Sequence, residues 1–88
     1  MNTPDIYVVG AARTAIGTFG GSLKDVPMAD LATTAVKAAL QRSGVDPAHV
    51  EHVVMGNVIP TEPQDAYISR VAAMNAGIPK ETPAYNVN

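Results

Sequence analysis

Hydrophobic residues occur along the chain in two patterns that alternate, short continuous runs and a helical spacing. Together these patterns predict strands separated by helices. The apolar run at residues 6–11, rich in Val and Ile, has the length and β-branched content of a strand buried on both faces. Further strands are predicted over residues 52–59, where Gly56 suggests a bulge or a close backbone approach, and over residues 84–87.

The segment after the first run carries the clearest helical periodicity. Its apolar residues recur at i, i+3, i+4, i+7, i+8, i+11 and i+12, in the order Met28, Leu31, Ala32, Ala35, Val36, Ala39 and Leu40. Asp25 is the predicted N-cap, Pro27 is expected in the first turn, and Gly44 is a suitable C′ residue. Because the stripe is rich in alanine, the helix is expected to lie close against a sheet.

A second helix is predicted over residues 65–76, after a short helical piece capped by Asp46. Gly77 is its expected C′ residue, and Pro79 lies just beyond. The predicted buried positions of this helix are Ile68, Val71 and Ala72, with Met74 or Ala76.

The element order is therefore β-α-β-α-β. Strands that alternate with helices of this length imply parallel pairing, right-handed crossovers and an α/β fold. The final segment, TPAYNVN, is strand-like and has no terminating turn, so residues 1–88 are expected to be an incomplete domain cut in mid-fold.

Composition removes several classes of function. The 88 residues carry a formal net charge of -2, and the six Lys and Arg are spread singly, which argues against binding to nucleic acid or an anionic membrane. There is no cysteine for a disulfide, thiolate metal site or cysteine nucleophile. The start lacks a signal-peptide pattern and no apolar run is long enough to span a membrane, so a cytoplasmic location is predicted.

Two features near the first predicted strand are candidates for ligand binding. The loop after that strand contains Gly17, Gly20 and Gly21, but these match neither nucleotide-binding glycine fingerprint, so a structural loop is favoured over a phosphate site. Arg13 follows the carboxyl end of the strand and could hold a phosphate or carboxylate. The favoured alternative is an arginine that ties down the loop through backbone carbonyls or a local acid.

Two groups of ionisable residues also have a structural alternative. His49 and His52 flank Glu51 and could suggest a metal pair or an acid–base couple, but a solvated face is favoured because a helix-to-strand change separates them. Glu62 and Asp65 could act together in general acid–base chemistry. Capping of the second helix is the favoured alternative for these two acids.

For the polar side chains of the last helix and strand, the sequence does not decide between a structural role and a functional one. Tyr67 and Arg70 could face a partner or a cleft. Asn86 and Asn88 alternate with Val87, so they point to the opposite face of the strand from it. Because buried polar residues need partners, these asparagines fit an interface or a site as well as a structural role.

In combination, several segments closely resemble the N-terminus of thiolases, in particular bacterial acetyl-CoA acyltransferases of the β-ketothiolase branch. The segments are VVGAARTAIGTFGGSLKDV, QRSGVDPAHV, VVMGNVIPT, RVAAMNAGIP and PAYNVN. The resemblance implies an N-terminal half built on a five-stranded mixed sheet. This chain would supply the first three strands and two helices of that half.

The resemblance also implies an activity and its location. The whole protein would condense acyl-CoA molecules to 3-oxoacyl-CoA, or cleave them thiolytically, through an acyl thioester on a cysteine just beyond Asn88. The chain itself would hold no catalytic, cofactor-binding or metal-binding residue, since coenzyme A thioesters are the substrates and no separate cofactor is expected. The segment would therefore be inactive alone.

The last strand would contribute to a homodimer or homotetramer interface through Ala84, Tyr85, Asn86, Val87 and Asn88. The alternative hypothesis is a small stand-alone α/β interaction module that uses the edge of the same strand. Because residues 84–88 carry no charge to protect an open edge, the thiolase interpretation is favoured.

Overall fold

The computed structural model describes residues 3–87, which form two α-helices and a two-stranded parallel sheet. In chain order these are α1 Met28–Ser43, β1 Val53–Gly56, α2 Ile68–Asn75 and β2 Ala84–Val87. Short 3-10 helices at Pro47–His49 and Pro63–Tyr67 precede β1 and α2. The predicted α/β class is confirmed. Neither α-helix of the described residues is long and apolar enough to cross a membrane.

The two strands lie side by side with α2 as the crossover between them. Val53 is opposite Ala84 and Gly56 is opposite Val87, in parallel register. Side chains alternate between the two faces of the sheet. Along each strand the alternate positions are more buried, beginning with Val53 in β1 and Ala84 in β2, so one face is covered and the other is exposed.

The first predicted strand, residues 6–11, does not form a strand in the structure. Ile6 and Val8 are 90% and 89% exposed, although their apolar pattern predicts burial. A groove of about 370 Å³ is lined by Val9 of this segment, Leu40 of α1 and Val53 of β1. A strand exists only through a hydrogen-bonded neighbour, and here the segment lies along α1 instead. Arg42 Nη1 donates to the Ala11 carbonyl at 3.0 Å.

Helix α1 begins later than predicted and ends where predicted. Pro27, with ψ of 142°, is the N-cap, and Asp25 makes no capping hydrogen bond. The residue before a proline is disfavoured in the helical region, so the helix cannot begin as early as Asp25 predicts. Gly44 adopts φ of 70°, and its N–H donates to the Leu40 carbonyl, as expected of a glycine that ends a helix.

Helix α1 packs mainly against α2 rather than flat on the sheet. Its one buried side chain is Ala29, which is not in the predicted apolar stripe. Residues Val36 and Leu40 of the stripe do reach the small core formed by Val53, Ala73 and Ile78. The stripe therefore predicts part of the contact face of α1, but it does not predict that α1 packs against α2.

The second predicted helix is divided into a 3-10 helix and α2. Its buried face is Asp65, Ile68, Ser69, Ala72 and Ala73, so Ile68 and Ala72 are confirmed, whereas Val71 and Ala76 are half-buried and Met74 is exposed. The prediction omitted Asp65, Ser69 and Ala73 from this face, and two of these three residues are polar.

Gly77 ends α2 as predicted, with φ of 92°. Its N–H donates to the Met74 carbonyl at 3.1 Å, and the Ile78 N–H donates to the Ala73 carbonyl at 2.9 Å. These two bonds form a Schellman motif, and the buried side chains of Ile78 and Ala73 supply its usual apolar contact.

Strand β1 is shorter than the predicted 52–59, since Val58 and Ile59 are exposed and lie beyond the residues paired with β2. Gly56 is regularly paired and is not a bulge. A Cβ built on Gly56 would meet no heavy atom within 4 Å, so no close backbone approach explains the glycine.

Candidate functional site

The carboxyl ends of both strands and the start of α2 meet at one edge of the sheet. Asn57 directly follows β1, and Asn86 and Val87 end β2. In open α/β sheets, ligands bind outside the carboxyl ends of the strands. This edge is therefore the candidate functional site, and it brings together several polar residues that are distant in sequence.

Asp65 is the most buried polar side chain at this edge, at 1% exposure. Its Oδ2 accepts hydrogen bonds from the Thr61 hydroxyl at 2.7 Å, the Thr61 N–H at 2.9 Å and the Glu62 N–H at 2.9 Å. These donors, with the Thr61 hydroxyl contributing most, lower the pKa of Asp65 below its ordinary value of 3.8, against the opposing effect of burial. Its Oδ1 is buried without a partner among the described residues.

This geometry favours the structural account of the Glu62 and Asp65 pair. A carboxyl that is held ionised by three hydrogen bonds is a weak base and a poor proton donor near neutral pH. Glu62 is exposed, and its backbone carbonyl accepts the Asp65 N–H at 2.9 Å. The two acids therefore shape the turn into the 3-10 helix, as the capping alternative predicts.

Two asparagines connect the ends of the strands to the start of α2 and to the 3-10 helix that precedes it. Asn86 Oδ1 accepts the Ser69 N–H at 2.9 Å, and Asn86 Nδ2 donates to the Ala66 carbonyl at 2.7 Å. Asn57 Nδ2 donates to the Asp65 carbonyl at 3.4 Å. We call the set Asn57, Thr61, Asp65 and Asn86 the carboxyl-edge network. It fixes the start of α2 against the ends of both strands.

The predicted interface residues divide between the two faces of β2. Ala84 and Asn86 are half-buried on the helix side, and the Asn86 amide bonds to Ser69 of α2 and to Ala66 of the 3-10 helix before it. Tyr85 and Val87 are 52% and 47% exposed on the other face, beside Val54 and Gly56 of β1. Asn88 lies outside the described residues. No partner chain is present, so the interface stays a prediction.

The remaining candidates near the start of the chain have structural surroundings. Arg13 is exposed, and its Nη1 donates to the carbonyl of the adjacent Thr14 at 3.0 Å, a local bond that does not decide between the ligand-binding and loop-anchoring alternatives. In the glycine loop, the Gly21 N–H donates to the Thr18 carbonyl at 2.9 Å and the Lys24 N–H donates to the Gly21 carbonyl at 3.1 Å. These N–H groups close turns, so they do not converge on an anion.

The histidines do not come together in a metal site. His49, Glu51 and His52 are all exposed, as the solvated-face alternative predicts. Across residues 3–87 the structure contains no group of three or more His, Cys, Asp or Glu side chains that could hold a metal ion.

Tyr67 and Arg70 have different surroundings. The Tyr67 side chain is 70% exposed. Arg70 Nη1 donates to the carbonyls of Lys80 and Thr82, both at 2.9 Å, and so holds the residues just before β2 on α2. Arg70 therefore has a structural role within the chain.

Sequence reasoning missed Asn57, Thr61 and Ser69. The signal that could have found the first two is the position of short polar residues directly after an apolar strand, where parallel strands end at a common edge. No periodicity identifies Ser69, because its backbone N–H is the group that bonds and not its side chain.

The chain is similar to thiolases in sequence and in structure. Residues 6–88 match the family model described as "Thiolase, N-terminal domain". Beta-ketothiolase BktB of Cupriavidus necator is 55% identical over 86 residues, covering 98% of this chain and 22% of the relative. The mitochondrial 3-ketoacyl-CoA thiolase of Homo sapiens is 45% identical over 83 residues, covering 94% of this chain and 21% of the relative.

A solved structure gives the same result for the fold. The crystal structure of human mitochondrial 3-ketoacyl-CoA thiolase superposes with a TM-score of 0.89 at 45% identity, over 93% of this chain and 21% of that chain. The chain thus spans about a fifth of the length of the relatives it matches. The family match, the sequence identities and the superposition agree that this chain belongs to the thiolase N-terminal domain family.

Proposed function

We propose that the whole protein containing this chain is an acetyl-CoA C-acyltransferase of the thiolase type. The match of the thiolase model to residues 6–88 is the observation that carries the proposal. The relatives' names include beta-ketothiolase, acetyl-CoA acetyltransferase and 3-ketoacyl-CoA thiolase. The proposed substrates are therefore acyl-CoA thioesters, which are condensed to 3-oxoacyl-CoA or released from it by thiolysis.

The proposed reaction uses a cysteine that follows Asn88 in the whole protein. The cysteine thiolate attacks the thioester carbonyl of one acyl-CoA, and coenzyme A takes a proton from an acid–base group of the whole protein and leaves as its thiol. The α-carbon of a second acyl-CoA then gives a proton back to that group and attacks the enzyme-bound thioester. This step forms the new carbon–carbon bond of 3-oxoacyl-CoA and returns the thiolate.

These 88 residues have the proposed role of a scaffold and a subunit interface. The open edge of β2 and its exposed, uncharged Tyr85 and Val87 support this role, because an unprotected strand edge readily pairs with another chain. The interface comprises Ala84, Tyr85, Asn86, Val87 and Asn88 and would join a homodimer or homotetramer. A cytoplasmic location belongs to the same proposal.

The direct experiment compares the whole protein with residues 1–88 alone. Each is incubated with acetyl-CoA, and separately with a 3-oxoacyl-CoA plus coenzyme A, and the thioester products are measured by liquid chromatography. Turnover is expected from the whole protein only. A whole protein that forms and cleaves no 3-oxoacyl-CoA would refute the enzymatic proposal, and turnover by the segment would refute its role as a scaffold.

A cysteine variant provides the matched control. Replacing the first cysteine after Asn88 by serine should abolish acyl transfer while the protein remains folded, because a serine hydroxyl without an activating base is a far weaker nucleophile than a thiolate. If the coding sequence ends at Asn88, or contains no cysteine soon after it, the small interaction module is the better account.

A further inference from the structure

Asn86 joins the end of β2 to the start of α2 through its Oδ1 and to the preceding 3-10 helix through its Nδ2. The Ser69 N–H that its Oδ1 accepts belongs to the first turn of α2, where backbone donors have no partner within the helix. Tyr67, the residue at the N-cap position, makes no side-chain cap bond. Asn86 therefore caps α2 from a different element, and its Nδ2 bond to the Ala66 carbonyl fixes the orientation of the amide.

At this same end of β2, the backbone is held by β1. Val87 is paired with Gly56, and the Asn57 N–H donates to the Val87 carbonyl at 2.9 Å. The last residues of β2 are thus held in two ways. Their backbone is hydrogen-bonded to the end of β1, and the Asn86 side chain is hydrogen-bonded to α2 and the 3-10 helix before it. Together these two anchors fix the position of the last described residues of β2, Asn86 and Val87.

A polar side chain at this strand position is unusual for packing alone. Ala84 shares this face of β2 and contacts the apolar core, so an aliphatic residue would suit position 86 equally well. Asparagine supplies one acceptor and one donor at fixed separation. Both are used here, on two backbone groups that an aliphatic side chain would leave without a partner.

We propose that Asn86 is a positioning residue for the nucleophile that follows β2, acting by holding the end of that strand against α2. This inference rests on the proposed function, since it requires the cysteine beyond Asn88. Nucleophilic attack depends on sub-ångström placement of the attacking atom, whereas affinity for a large thioester is spread over many contacts. Loss of the Asn86 anchor should therefore slow acylation more than it weakens substrate binding.

Arg70 offers a matched control at the other end of the same strand. It also uses two side-chain hydrogen bonds, to the carbonyls of Lys80 and Thr82, to hold β2 on α2. Those contacts precede β2, whereas the Asn86 contacts lie at its end. A general loss of α2–β2 packing should affect both variants equally, but a positioning role should distinguish them.

The experiment uses the whole protein and its Asn86→Ala and Arg70→Met variants. Single-turnover release of coenzyme A from acetyl-CoA gives the acylation rate, steady-state kinetics give KM and kcat, and thermal denaturation gives the loss of stability. Asn86→Ala is expected to slow acylation by about 10- to 100-fold with little change in KM. Arg70→Met is expected to lower the melting temperature while the folded protein acylates at nearly the wild-type rate.

Asn86→Asp keeps the test decisive if Asn86→Ala does not fold. The aspartate retains an acceptor for the Ser69 N–H, and its charge suits a helix N-terminus, so folding should be preserved. It cannot donate to the Ala66 carbonyl, and an intermediate acylation rate is expected. Equal slowing by the Asn86 and Arg70 variants, or an unchanged rate in the Asn86 variant that folds, would overturn the inference. A wild-type protein that releases no coenzyme A would instead refute the proposed function, and the inference with it.

Discussion

The N–H of Ile78 donates to the carbonyl of Ala73 at 2.9 Å, and the side chains of these two residues meet in the same small core. The end of α2 and the centre of the core are thus fixed by one turn. Gly77 makes that turn possible, because its φ of 92° lies in a region that L-residues rarely adopt.

Gly77→Ala should therefore destabilise the protein by about 1 to 2 kcal/mol, since a Cβ is unfavourable at positive φ. The measurement is urea denaturation of the whole protein. Gly56→Ala is the matched control, because a Cβ at that strand position meets no atom within 4 Å. Equal destabilisation by both variants would contradict the role of backbone conformation.

The stability of the protein should depend on the charge of Asp65 at acidic pH. Because the folded-state pKa of Asp65 is lowered by its hydrogen bonds, its stabilising contribution is complete above the unfolded-state value near 3.8 and is lost as pH falls through the lower folded-state pKa. Asp65→Asn should be less stable than wild type at pH 7, and the difference should shrink as the pH falls below 3.8.

Thermal melts of Asp65→Asn and wild type between neutral and acidic pH provide the measurement. Glu62→Gln removes the same charge from an exposed side chain on the same turn and controls for net charge. A stability difference for Asp65→Asn that stays constant with pH would argue against hydrogen bonds to the ionised carboxylate.

Gly10→Ala should displace residues 6–11 from α1. An added Cβ would lie 2.7 Å from the Ala39 carbonyl oxygen and 2.9 Å from the Ser43 Cβ, and the helix backbone cannot move away easily. The expected cost is about 1 to 3 kcal/mol, as for other overpacking substitutions. Urea denaturation of the whole protein measures this loss of stability. Gly17→Ala, whose nearest contact would be the Leu23 side chain at 3.4 Å, should leave the stability nearly unchanged.

A charge on the exposed face of β2, which carries Tyr85 and Val87, should weaken subunit association if the proposed interface is correct. Tyr85→Glu would place an unpaired carboxylate in the buried contact, and the dissociation constant should rise at least about tenfold, equivalent to about 1.4 kcal/mol. Analytical ultracentrifugation of the whole protein measures this. Tyr67→Glu, at an exposed tyrosine outside β2, should leave the assembly intact. An unchanged dissociation constant for Tyr85→Glu would place the interface elsewhere.

Local signals in the sequence correctly predicted the features that are determined by interactions between neighbouring residues. Gly44 and Gly77 end the two helices as expected, and Asp46 accepts the Ala48 N–H at 2.9 Å as the predicted cap of a short helical turn. The parallel pairing of β1 and β2 also follows from the order of the elements. In each case the determining interaction lies within a few residues or within the general rules for crossovers.

The features that sequence did not predict depend on contacts between distant segments. Residues 6–11 have strand-like composition, but composition cannot supply a hydrogen-bonding neighbour. The division of the second helix follows from the Thr61 donors to Asp65 and from the Asn86 bond to Ser69. Asn86 itself was identified as a polar residue needing a partner, but nothing in the pattern showed that the partner would be α2.

The cap that Asn86 places on Ser69 has a consequence for local unfolding. A helix of only eight residues is too short to persist alone in water, and the cap on the first turn of α2 comes from β2. The two elements should therefore open together as one cooperative unit. The amide proton of Ser69 should exchange with solvent only when β2 separates from α2, so its exchange rate in D₂O reports how often the end of that strand comes free.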